Sequence, residues 1–139
     1  MSIDLLVHAK FSSRIQRSHL KRIAQKALRA EKVKASLTIY ITTNAEIRKF
    51  NRMFHATDAP TDVLSFPSDE SDYLGDIVIS YDRAKVQARD AGWRIADEID
   101  LLAVHGILHL LGYDDLTPRK RVKMWQKQEK ILGHEIRER

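Results

Sequence analysis

Apolar and polar positions follow two periods along this chain, and the switch from one to the other marks its elements. Residues 3–9 and 37–42 have the composition of strands, and residues 61–66 and 76–80 read as two more. The acidic run Ser68-Asp69-Glu70-Ser71-Asp72 connects the latter pair. Between the first two strands, Leu20, Ile23, Ala24, Ala27 and Leu28 form one stripe of a helix over residues 18–31, with Lys21, Arg22, Lys26 and Arg29 on its other face. A second helix is expected to open at Asn44 as N-cap with Glu46 in its first turn, where the helix dipole favours an acid. A third covers residues 82–91 and breaks at Gly92. Residues 101–111 are apolar nearly all round, which marks a helix buried on most sides. Thr117 as N-cap and Pro118 at the first helical position start the last helix. It is expected to pack through Val122, Trp125 and Leu132 and to leave Arg119, Lys120, Lys123 and Lys127 to solvent or a partner. The order of elements predicts an α+β fold: a single domain over residues 1–139, with a small mixed β-sheet packed with helices and a central buried helix, the candidate metal-binding element.

The buried helix carries the candidate chemistry. His105 and His109 are four residues apart, hence on one helix face, and can reach one ion together. Gly112 can end the helix in a left-handed conformation and turn the chain so that Asp115 points back at that face. Two histidines and a carboxylate suit zinc with an open fourth position, and an open position implies chemistry. The plainer alternative is a pair of hydrogen-bonded core histidines. Gly106 stands where zinc proteases of the H-E-x-x-H type carry their general base, which weakens a peptidase reading; glycine there also admits close packing by a neighbouring segment. Asp62 and Asp76 each have two readings, as acceptors orienting a ligand histidine or as caps of a turn. His8, His19 and His134 read as surface or packing residues.

Charge and composition narrow the setting. The chain has 24 Lys and Arg against 19 Asp and Glu, a net charge of +5, so polyanions such as RNA are drawn to it through counterion release. Cysteine is absent, excluding disulfides and thiolate ligands. Asp4 lies where a signal peptide would be basic, and no stretch approaches the roughly 20 apolar residues of a membrane span. A cytoplasmic protein with no membrane partner is expected.

The run His105-Gly106-Ile107-Leu108-His109-Leu110-Leu111-Gly112-Tyr113-Asp114 resembles the H-G-x-L-H-L-x-G-Y-D-H pattern of the YbeY family, bacterial endoribonucleases of ribosomal RNA maturation, with Asp115 in place of the third histidine. Three further blocks are similar to the family in order and spacing. They are residues 51–67, which contain Pro60-Thr61-Asp62-Val63-Leu64-Ser65-Phe66-Pro67, then Leu74-Gly75-Asp76-Ile77-Val78-Ile79, and Met124-Trp125-Gln126-Lys127-Gln128-Glu129. The resemblance implies a zinc-dependent, single-strand-type endoribonuclease in ribosomal RNA maturation and ribosome quality control, with one zinc per chain. Its partners would be ribosomal RNA, ribosomal subunits and ribosome-associated proteins. The alternatives are a non-catalytic ribosome-assembly factor with a structural metal and a metal-dependent hydrolase of another substrate. Two departures bear on the chemistry. Asp115 for histidine lowers the charge of a zinc site from about +2 to about +1. The family's arginine in its Y-R-G-K-D segment aligns with His55, which cannot form a two-pronged guanidinium clamp on phosphate. The candidate catalytic residues are therefore His55 itself and Arg52, one helical turn earlier, with Arg52 slightly favoured for its permanent bidentate charge.

Overall fold

The computed structural model describes residues 2–137. Four strands, β1 (Ile3–Val7), β2 (Ser36–Thr42), β3 (Val63–Pro67) and β4 (Tyr73–Ser80), make one sheet in the order β1-β2-β4-β3. β1 with β2 and β2 with β4 are parallel, and β3 is antiparallel to β4. The parallel pairs need crossovers, which α1 (Arg17–Ala30) and α2 (Asn44–His55) supply, whereas the 68–72 run closes a hairpin. α3 (Tyr81–Ala91), α4 (Ile95–Leu110) and α5 (Pro118–Leu132) follow. The expected small mixed sheet packed with helices is thus the architecture.

α4 is the buried helix. It is packed by α1, α3, α5 and the strands β3 and β4, and the side chains from Ile99 to Val104 are all buried. Gly106 explains how closely the sheet approaches: a Cβ there would lie 2.7 Å from Ile77 Cγ2 on β4. The helix ends at Leu110, and Gly112 takes φ +98°, the left-handed turn expected of it.

Three expectations shift. β1 ends at Val7 because His8 Nδ1 accepts a hydrogen bond from Lys10 N at 3.1 Å and caps a 3-10 turn, Ala9–Arg14, which buries Phe11 against Tyr81. The cap of α2 is Thr43, whose Oγ1 accepts from Glu46 N, while Asn44 is the first helical residue and its Oδ1 accepts from Ser80 Oγ at 2.6 Å. In α5 the buried face is Met124, Gln128, Ile131 and Leu132, while Val122 is 56% exposed and Trp125 38% exposed. The polar Gln128 interrupts that stripe in the sequence and displaces the expected face by part of a turn.

Candidate active site

His105 and His109 lie one turn apart on α4, and this spacing brings their Nε2 atoms to 3.0 Å with the rings nearly perpendicular. Gln128 on α5 reaches across to His105, its Oε1 accepting from Nδ1 at 2.6 Å. That bond puts the ring proton on Nδ1 and leaves the Nε2 lone pair facing His109, the tautomer a metal ligand needs. Burial pushes His105 below its ordinary titration range, against the opposing Gln128 hydrogen bond, and so favours the neutral ring.

The two imidazoles face a groove of about 380 Å³ whose other walls are β3, Asp62 just before it, and His55 at the end of α2. His55 is brought there because α2 stops at that residue, with Ala56 in the left-handed region at φ +53°. Its ring lies 5.4 Å from that of Phe66. Arg52 is exposed one turn earlier and is not among the residues lining this groove. Ser65 Oγ donates to Gly106 O at 3.2 Å and ties the β3 wall to the histidine helix.

Asp62 is fixed between elements. Its Oδ1 accepts from Val63 N at 2.8 Å and its Oδ2 from Gln87 Nε2 of α3 at 3.2 Å. Asp115 is exposed and lines a second cavity, of about 310 Å³, which His105 and Asp62 also line. The structure therefore pairs His105 with His109 and places Asp115 on a cavity that His105 also lines. Among the described residues no three His, Asp or Glu groups converge as a ready-made metal cluster.

Asp76 does not orient a ligand histidine. Alternation along β4 sends Ile77 toward α4 and Asp76 to the opposite face, where it is exposed and accepts a hydrogen bond from the Tyr73 hydroxyl. The side chain that accepts from His105 is Gln128, which the sequence reading missed. The available signal was a polar residue set at helical spacing between Met124 and Ile131. Of the histidines set aside, His19 Nε2 bonds the buried carboxylate of Asp100 at 2.8 Å, and His134 packs edge-on against Trp93.

A small α+β domain with a paired-histidine helix beside a strand-walled groove is the class that fold and site define. A family model described as Endoribonuclease YbeY matches residues 7–135. The chain is 48% identical over 104 residues to the Endoribonuclease YbeY of Acholeplasma laidlawii, covering 73% of this chain and 76% of that protein. It is 37% identical over 145 residues to the Endoribonuclease YbeY of Bacillus velezensis, covering 94% and 92%. The solution structure of TM1509 from Thermotoga maritima superposes with a TM-score of 0.71 at 30% identity, covering 94% of this chain and 87% of that one. This chain belongs to the YbeY endoribonuclease family.

Proposed function

We propose that this chain is a zinc-dependent endoribonuclease that cuts single-stranded segments of ribosomal RNA in the cytoplasm, during ribosomal RNA maturation and ribosome quality control. The observation that carries the reading is the convergence of two Nε2 atoms, one with its tautomer set by Gln128, on a groove walled by β3 and His55. These donors fit zinc: both are imidazole nitrogens on one helix face, and the neutral form of His105 is favoured by burial. His105, His109 and Asp115 would hold one ion per chain. When bound, zinc supplies a Lewis acid for a phosphoryl oxygen or for water.

The chain's own residues do the rest. Gln128 keeps His105 in the ligating tautomer, and His55 presents a hydrogen-bond donor to a phosphate in the groove. The net positive charge concentrates the RNA around the protein. Partners of this kind are ribosomal RNA and ribosomal subunits.

Metal analysis and a nuclease assay on structured ribosomal RNA test this together. The expected outcome is about one zinc per chain, loss of that zinc in His105→Ala and in His109→Ala, and cleavage abolished by chelator. Full metal content in both variants would show the site wrongly assigned. Metal retained without any cleavage would leave an assembly factor with a structural metal.

A further inference from the structure

The second cavity beside His105 has features the metal site does not use. Its floor is apolar, made by Leu101 and Leu102 of α4 and Met124 of α5, and Trp125 stands on its wall with 38% of its surface exposed. Arg121 lies one helical turn before Trp125 and lines the same space. Gln87 also lines the cavity. Its Nε2 is committed to Asp62 at 3.2 Å, which fixes the orientation of the carboxamide, and its Oε1 is buried with no hydrogen-bond partner among the described residues. A half-exposed indole over an apolar floor, with an unpaired buried acceptor in the wall, is an arrangement that accepts a flat heterocycle carrying an N–H donor.

We infer that this cavity is a nucleobase pocket that takes the base next to the cut, stacking it on Trp125 and favouring bases with an exocyclic amino group through Gln87 Oε1. The inference rests on the RNA-cleaving reading and adds a base preference to it. Geometry supplies the adjacency: His105 and Asp62 line both this cavity and the groove, so the two spaces adjoin at the paired histidines where the phosphate would sit. Gln87 Oε1 supplies the selection, and Arg121, the one Arg or Lys among the residues lining the cavity, is left to the RNA backbone. The volume of about 310 Å³ is at the small end of ligand sites, the size for one base rather than a helix of RNA.

The test uses the zinc-loaded protein and short single-stranded RNAs that differ only in one nucleotide beside the cut, cytidine against uridine. The two bases have nearly the same shape and differ in an amino group against a carbonyl. Cleavage is followed in single turnover, and binding of 2′-O-methyl versions is followed by anisotropy and by tryptophan quenching. The expected results are several-fold preference for cytidine, about tenfold weaker binding in Trp125→Ala, recovery of most of it in Trp125→Phe, and loss of the quenching in both. Gln87→Met is expected to erase the preference for cytidine while stacking persists. Should Trp125→Ala fold poorly, Trp125→Phe and Gln87→Met carry the test through quenching and preference alone. Wild-type cleavage with no base preference and no quenching assigned to Trp125 overturns the base pocket and leaves the nuclease standing. A wild-type protein that neither binds nor cuts RNA overturns both.

Discussion

His55 and Gln128 show how a single side chain is judged by where its backbone places it. Gln128 is a polar residue that is 5% exposed, and the hydrogen bond it accepts from His105 offsets the cost of burying its carboxamide. His55 lines the groove and Arg52 does not, which favours the imidazole as the donor to a phosphate in the proposed reaction, despite the better chemistry of a guanidinium. His55→Arg is then expected to raise the rate of RNA cleavage by about tenfold, since a charge-assisted hydrogen bond is stronger than a neutral one by roughly 1–2 kcal/mol. Arg52→Ala is expected to change it less than His55→Ala does. Rates of the three variants on one RNA, with zinc content measured alongside, decide the matter; a larger loss in Arg52→Ala would return the clamp to Arg52.

At the scale of elements, the packing of α4 on β4 sets the site. Gly106 faces Ile77, which is fully buried and branched at Cβ, so it cannot swing away from an added methyl. Gly106→Ala gains about 1 kcal/mol of helix propensity. It loses about 1–3 kcal/mol to overpacking at the 2.7 Å contact. The clash is expected to win, with a net loss of about 1 kcal/mol and a melting temperature lower by about 4 °C. Thermal denaturation measures it, and a variant at least as stable as the parent would show that the sheet can give way. The same fit was legible in part from the sequence, because a glycine inside an otherwise apolar helix signals a close approach. Its partner, Ile77, was not, because the register between β4 and α4 is a tertiary property.

In the whole molecule, Glu31 ties three regions that are remote in sequence. It sits just after α1, and its Oε1 accepts from the Tyr113 hydroxyl in the turn after α4 while its Oε2 accepts from Lys127 Nζ of α5 at 3.1 Å. Burial pushes the Glu31 carboxyl up, but the hydrogen bonds from Tyr113 and Lys127 outweigh it, and its titration falls below the ordinary 4.5. A carboxyl depressed in the folded state contributes stability that is full above its unfolded pKa and lost as pH falls through the folded one. Glu31→Gln is therefore expected to lower the melting temperature at pH 7 by a few degrees, equivalent to about 1 kcal/mol. The gap from wild type should close below about pH 4.5, the value it departs from. A gap that widens on acidification would contradict the linkage. Among the described residues no helix is long and apolar enough to cross a membrane.

The sequence by itself determined what depends on local spacing. The two histidines on one face, the turn at Gly112, the cap at Thr117, the stripe of α1 and the order of elements all follow from helical and strand periods and from glycine and proline geometry, which act within a few residues. The tertiary structure alone decided what depends on which faces meet. It set Gln128 against His105, turned Asp76 away from the site, put His55 rather than Arg52 in the groove, and left Trp125 at the mouth of a cavity instead of in the core. The outcomes at Gln128, Asp76 and Trp125 hang on the rotation of α5 and the register of β4 against α4. Both are fixed by close packing among side chains up to about a hundred residues apart, a constraint that no local pattern records.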